Sequence, residues 1–154
     1  GKGTIYTVFK NKEELFAEVV GSLIKEMRQA ADEAIDPSLS FHENIHRGLY
    51  KILEFRIKHQ LAIKLFQEEK EMGTQAVIDV MVKFEDIIIK FLKEKISAAI
   101  EKGEIQQCDP ELTAFVMLKL YIALIFDWEK RHKPLEKEEI AGLLEQYIFK
   151  GLSI

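Results

Sequence analysis

The sequence predicts an all-α protein, and three observations carry that reading. Helical periodicity persists along the chain, with no strand alternation and no hairpin signal. Helix start signals recur: two capping boxes and one Asp-Pro-Glu. The composition, 47% hydrophobic and 31% charged with three prolines and eight glycines in 154 residues, suits a packed chain and not a linker. That length is enough for one domain with a sizeable core.

Taken in order, Asn11-Lys12-Glu13-Glu14 has the form of a capping box, with Asn11 as the cap. The helix it starts should run to about Ala34, where Asp36-Pro37 stops it. At ~1.5 Å per residue it would span roughly 35 Å, long enough to bridge two bodies. Ser40-Phe41-His42-Glu43 is a second box, opening a helix to about Lys58. A shorter helix fits His59 to Met72, closed by Gly73. From Thr74 to Lys102 an apolar stripe of Val77, Met81, Phe84, Ile88, Phe91 and Ile96 argues a long helix, and Gly103 is placed to end it. Asp109-Pro110-Glu111 supplies a cap, a proline at the first helical position and an acid in the first turn. That helix should end in Lys130-Arg131-His132-Lys133, before Pro134. A last helix, about Glu136 to Gly151, puts Ile140, Leu143, Leu144, Tyr147 and Ile148 on one face.

The stretch Ala114 to Phe126 holds a single charge, Lys119, so it is apolar nearly all round. It is short for a membrane span, which needs about 20 residues, and no membrane partner is expected. A helix buried on several sides fits better, one side on its own domain and another on a second copy. A symmetric four-helix contact would draw on Leu118, Ile122 and Ile125, with Ile140, Leu143, Leu144, Tyr147 and Ile148 from the last helix. The plainer alternative is that both helices close the core of a monomer.

The net charge of −4 is unevenly spread. Residues 1–12 hold Lys2, Lys10 and Lys12 and no acid, while the rest carries 19 of the 22 basic groups and all 26 acidic ones. An acidic body repels phosphates, so any nucleic-acid contact belongs at the N-terminal end. The lone Cys108 excludes an internal disulfide and favours a reducing, cytoplasmic setting. No secretory pattern opens the chain. It begins without an initiator Met, and Thr4-Ile5-Tyr6-Thr7-Val8-Phe9 reads as part of a packed element.

The run Gly3-Thr4-Ile5-Tyr6-x-x-Phe9-x-x-Lys12-Glu13-x-Leu15 resembles the signature of tetracycline-repressor-like (TetR-type) transcription regulators. In that family it belongs to the recognition helix of a helix-turn-helix and to the start of the long helix leading into the sensor domain. The resemblance implies DNA contacts by Thr4, Tyr6 and Lys12, with Lys2 as a further contact. The physics agrees: hydroxyls and ammonium groups bind phosphate, and Gly3 lets the backbone approach closely. Val8 departs from the aromatic or histidine often found there and is assigned no contact. The resemblance divides the chain into residues 1–16, the remnant of a helix-turn-helix domain, and 17–154, an effector-binding and dimerisation domain. It implies a chain starting at the turn into the recognition helix, so that operator DNA is a partner of the complete protein and not of this fragment.

The function implied is that of a homodimeric, ligand-responsive regulator, a repressor released from operator DNA by a small apolar effector, with no cofactor and no enzymatic activity. Candidate wall residues for the effector are Phe55, Phe66, Met81, Phe84, Phe91, Met117, Tyr121 and Trp128, with His59, Gln67 or Asp127 to orient a polar end. For each of them, core packing is the competing explanation.

A different class of function has one motif in its favour. His42-Glu43-Asn44-Ile45-His46 matches H-E-x-x-H, which on a helix sets two imidazoles on one face to hold zinc, with the Glu as general base. Glu68 or Glu69 would be the third ligand of a helical zinc-dependent hydrolase; a lipid-binding module is the other alternative. Yet Glu43 is also the reciprocal partner of Ser40, and solvated histidines account for the rest, so no metal is expected. Cys108 has no activating neighbour in the sequence.

Overall fold

Helix α1 (Lys12–Ala34) opens the computed structural model, which describes residues 12–72 and 75–152. The Asn11 cap lies outside the described residues. Phe16, Val20, Leu23, Ala31 and Ala34 are buried along one stripe of α1, which packs on the second and fourth helices. Its C-terminal end is finished by side chains from the next helix. Arg47 Nε donates to the Ala34 carbonyl at 2.8 Å, placing a cation at the negative end of the dipole. The Asn44 side chain accepts from the Asp36 N–H at 2.8 Å and donates to the Asp36 carbonyl at 2.9 Å.

Helix α2 (Phe41–Leu53) starts with the expected capping box: Glu43 N–H donates to Ser40 Oγ at 3.3 Å, and Ser40 N–H donates to Glu43 Oε2 at 2.9 Å. It ends earlier than Lys58. Glu54 and Phe55 N–H groups donate to Lys51 and Ile52 carbonyls, a 3₁₀-like tightening that separates α2 from α3 (Arg56–Met72). No glycine or proline marks that break, so the sequence offered no stop signal there.

Helix α4 (Gln75–Glu101) ends in a Schellman motif on Gly103, whose φ is +70°. Gly103 N–H donates to the Ile100 carbonyl and Glu104 N–H to that of Ala99. Helix α5 (Pro110–Ile122) starts as expected, the Asp109 carboxylate accepting from Glu111 and Leu112 N–H groups. It then widens into a π turn, Ala123–Asp127, and closes with a 3₁₀ turn, Trp128–Lys130. Helix α6 (Lys137–Leu144) repeats the pattern, with a π turn at Glu145–Phe149 and a last turn at Lys150–Leu152. Neither π turn was legible in the apolar spacing.

Among the described residues there is no strand, and no helix is long and apolar enough to cross a membrane. Among the described residues the core has three parts. Leu49, Leu53, Ile125, Ile140, Leu144 and Phe149 join α2, α5 and α6. Phe41, Ile96, Ala99, Ile105 and Ala114 join α2, α4 and α5. Phe16 and Val20, with Ile24 and Phe84, join α1 to α4. Burying each large aliphatic side chain here contributes about 1.5–3 kcal/mol.

Candidate functional site

The first turn of α3 sends consecutive polar side chains into different neighbours. Lys58 Nζ lies 3.2 Å from Glu26 Oε2 on α1. His59 Nδ1 lies 2.8 Å from the Tyr121 hydroxyl on α5. Gln60 Nε2 donates to the Ile125 carbonyl at 2.6 Å and to Glu129 Oε2 at 2.8 Å, gripping the π turn from outside. Arg56 reaches the Leu135 carbonyl ahead of α6 at 3.3 Å. The Lys58–Glu26 pair is solvent-exposed and marks proximity more than energy.

His59 is the buried polar residue of this group, 6% exposed. Phe55 stacks on it, with ring centroids 6.4 Å apart and planes 15° apart, and Tyr121 meets it edge-on at 5.7 Å. Burial pushes the imidazole down to about 4 and raises the Tyr121 phenol above its ordinary range, so both are neutral at pH 7. A neutral imidazole has one donor nitrogen and one acceptor nitrogen. The arrangement that satisfies Tyr121 has its O–H donating to Nδ1, which places the ring proton on Nε2; this tautomer is assigned from the bonding pattern. Nε2 has no partner among the described residues.

The other expected effector residues disperse. Phe84 packs against the Phe16–Val20 cluster, beside Gly21. Phe91 lies under the Arg28 guanidinium and the Lys95 ammonium, each 5.3 Å from its centroid. Met117 bridges two core clusters. Trp128 is 41% exposed, stacks on His132 at 3.8 Å and donates from Nε1 to the Lys133 carbonyl, so it belongs to the turn after α5. Gln67 is exposed, and Asp127 pairs with Lys130 at 3.1 Å. The side chains of Phe66 and Met81 lie outside the described residues. Among the described residues of the expected set, Phe55, His59 and Tyr121 come together around one polar centre. Arg56, Lys58 and Gln60 were not foreseen, and nothing in their spacing singles them out.

Of the eight residues expected at a dimer contact, Ile125, Ile140 and Leu144 are 0%, 1% and 4% exposed within the chain's own core. Their surface is already occupied, and this corrects the expectation that they face a second copy. Leu118, Ile122, Leu143 and Ile148 are half-buried and Tyr147 is exposed. The exposed apolar face of α5 is instead Leu112, Phe115 and Val116.

The expected DNA contacts Lys2, Gly3, Thr4 and Tyr6 lie outside the described residues, as does the Lys12 side chain at the start of α1. In the zinc-like motif, Glu43 is held by the Ser40 N–H and hydroxyl, which lower its carboxyl pKa below the ordinary value. His42 meets Phe41 and Phe149, whereas His46 packs on Tyr50 at 4.6 Å. Among the described residues no three His, Cys, Asp or Glu side chains are grouped to hold a metal ion.

No protein-family model matches the chain. It is 67% identical over 153 residues to the uncharacterized HTH-type transcriptional regulator YhgD of Bacillus subtilis (strain 168), covering 99% of this chain and 80% of that protein. Three solved structures share the fold. A proposed fatty acid metabolism regulator of Clostridium perfringens superposes with a TM-score of 0.79 at 19% identity, over 100% of this chain and 83% of that one. A proposed TetR-family regulator from Rhodococcus sp. gives 0.76 at 20% identity, over 98% and 80%. AibR, solved with isovaleryl coenzyme A and operator DNA, gives 0.67 at 19% identity, over 96% and 80%.

Fold and relatives define a DNA-binding transcriptional regulator and not an enzyme, built on the all-α fold of TetR-family proteins. The chain belongs to the helix-turn-helix-type transcriptional regulators.

Proposed function

We infer that residues 17–154 form the effector-binding and dimerisation domain of a repressor that leaves operator DNA when a small apolar effector binds. The observation that carries this reading is the His59–Tyr121 pair, a neutral polar centre walled by aromatic rings inside an apolar helical body. It sits one residue from Lys58, which reaches α1, the helix that follows the signature stretch. AibR is a precedent for one such fold serving both an acyl ligand and operator DNA. In this reading residues 1–16 belong to the DNA-binding domain, with Lys2, Gly3, Thr4, Tyr6 and Lys12 at the DNA backbone. Two copies meet through Leu118, Ile122, Leu143, Tyr147 and Ile148, joined by the exposed Leu112–Val116 face.

The test fuses this chain behind the N-terminal segment of the Bacillus subtilis relative and selects DNA from a random pool. The expected result is a dimer that binds the selected site with Kd on the order of 10⁻⁸ M and releases it on addition of an apolar compound. A monomer, or binding that no member of a panel of apolar compounds alters, would overturn the reading.

A further inference from the structure

We propose that His59 is the polar anchor of the effector site and that its Nε2–H donates to a carbonyl oxygen, so that the effector is an apolar molecule bearing a neutral carbonyl group, such as an ester, thioester or ketone. The proposal deepens the effector reading above and rests on it.

With Tyr121 O–H donating to Nδ1, the ring retains one donor, Nε2–H, buried and without a partner among the described residues. A buried donor left unmatched is costly, so the centre is built for an incoming acceptor. His59 is neutral, and Arg56, the cation whose field reaches Tyr121, gives its guanidinium to the Leu135 carbonyl. An ionised carboxylate brought here would lose its hydration against a neutral ring, whereas a neutral carbonyl needs only the single N–H.

Phe55 and Tyr121, the rings bordering His59, are each partly exposed while Nε2 itself is buried, so a carbonyl-bearing group from the surface reaches it as one of these rings turns aside. On either side of His59, Lys58 lies beside Glu26 of α1 and Gln60 holds the π turn of α5. A ligand seated on His59 therefore bears on the helix that follows the DNA-binding stretch and on the helix with the exposed apolar face together.

The experiment uses the full chain labelled with ¹⁵N-histidine and two probes of matched chain length, methyl hexanoate and octane. Long-range ¹H–¹⁵N spectra are expected to show the Nε2–H tautomer for His59 at pH 7. Methyl hexanoate is expected to move the Nε2 resonance and to bind at least tenfold more tightly than octane, although octane is the more hydrophobic of the two. His59→Phe should abolish the preference, while His59→Gln, which keeps a donor, should retain part of it; circular dichroism checks that both fold. An Nδ1–H tautomer, equal affinity for the probes, a preference that survives in His59→Phe, or a water contact to Nε2–H that persists with the ester bound would each overturn the proposal. Binding of both probes without preference removes the carbonyl anchor and leaves the effector reading standing. Binding of neither, up to their solubility limits, removes the anchor; if the DNA complex also responds to no apolar compound, the effector reading falls with it.

Discussion

His59 and Tyr121 share one hydrogen bond of 2.8 Å between α3 and α5, and that bond leaves the imidazole with a single nitrogen unmatched among the described residues. Tyr121→Phe keeps the ring and removes the hydroxyl, so both imidazole nitrogens are then left without a protein partner among the described residues. The expected cost is about 1–3 kcal/mol, the desolvation penalty of a stranded buried polar group. Urea denaturation at pH 7 measures it, and an unchanged midpoint would mean the bond contributes nothing.

Acid should act through the same residue. The folded pKa of His59, about 4, lies below the ordinary 6.5 because burial disfavours the imidazolium; Tyr121 on α5 is neutral, and Arg56 nearby is positive. Between those two values the unfolded chain binds the proton and the folded chain does not. Stability from this group is therefore intact above pH 6.5 and falls as pH drops towards 4, by about 3 kcal/mol in all. His59→Gln should flatten that part of the stability profile relative to the parent chain. Parallel profiles for the two proteins would show that His59 is not the titrating group.

Glycine substitutions should divide by backbone geometry. Gly103 holds the left-handed turn after α4, so Gly103→Ala is expected to cost about 1–2 kcal/mol even though the space around it is open. Gly48→Ala, inside α2 with nothing near the new methyl group, should instead stabilise by roughly 0.5–1 kcal/mol. Thermal melts of the two variants should move in opposite directions.

Removing the Asp109 carboxylate frees the N–H groups of Glu111 and Leu112 at the start of α5. Asp109→Ala should cost about 1 kcal/mol, lowering Tm by roughly 2–4 °C for a chain of this size. Asp109→Ser, which keeps an acceptor, should recover most of the loss.

If the exposed face of α5 joins two copies, a charge at its centre should separate them. Phe115→Asp is expected to weaken dimerisation at least tenfold by sedimentation, whereas Val19→Asp, on an exposed position of α1, should leave it unchanged. Equal effects, or none, would place the contact elsewhere.

These outcomes also mark what a sequence exposes. Asp109-Pro110, the Ser40–Glu43 box and Gly103 were legible because each is a local arrangement in which side-chain chemistry or a single φ decides the geometry. The break between α2 and α3 was not, because Glu54 and Phe55 carry no stop signal and the turn is made by backbone bonds to Lys51 and Ile52. Apolar periodicity identifies a face without naming what it meets. Phe84 went to α1 and Ile125 to the core, although both read as candidates for a ligand or a partner. The grouping of Phe55, His59 and Tyr121 depends on α3 and α5 lying side by side, a long-range fact that residue types only hint at.

The wide turn at Ala123–Asp127 has one further consequence. Each residue in a helix advances its azimuth by about 100°, so an extra residue in a turn swings everything beyond it by that angle. A helical wheel drawn through the whole of α5 and its extension therefore superimposes two different orientations. Ahead of the swing, Leu112, Phe115 and Val116 look outward; within it, Ile125 looks wholly inward. The stretch reads as apolar on all sides because Ala114 and Ile125 are buried while Leu112, Phe115 and Val116 look outward, and Gln60 holds a carbonyl within the wide turn.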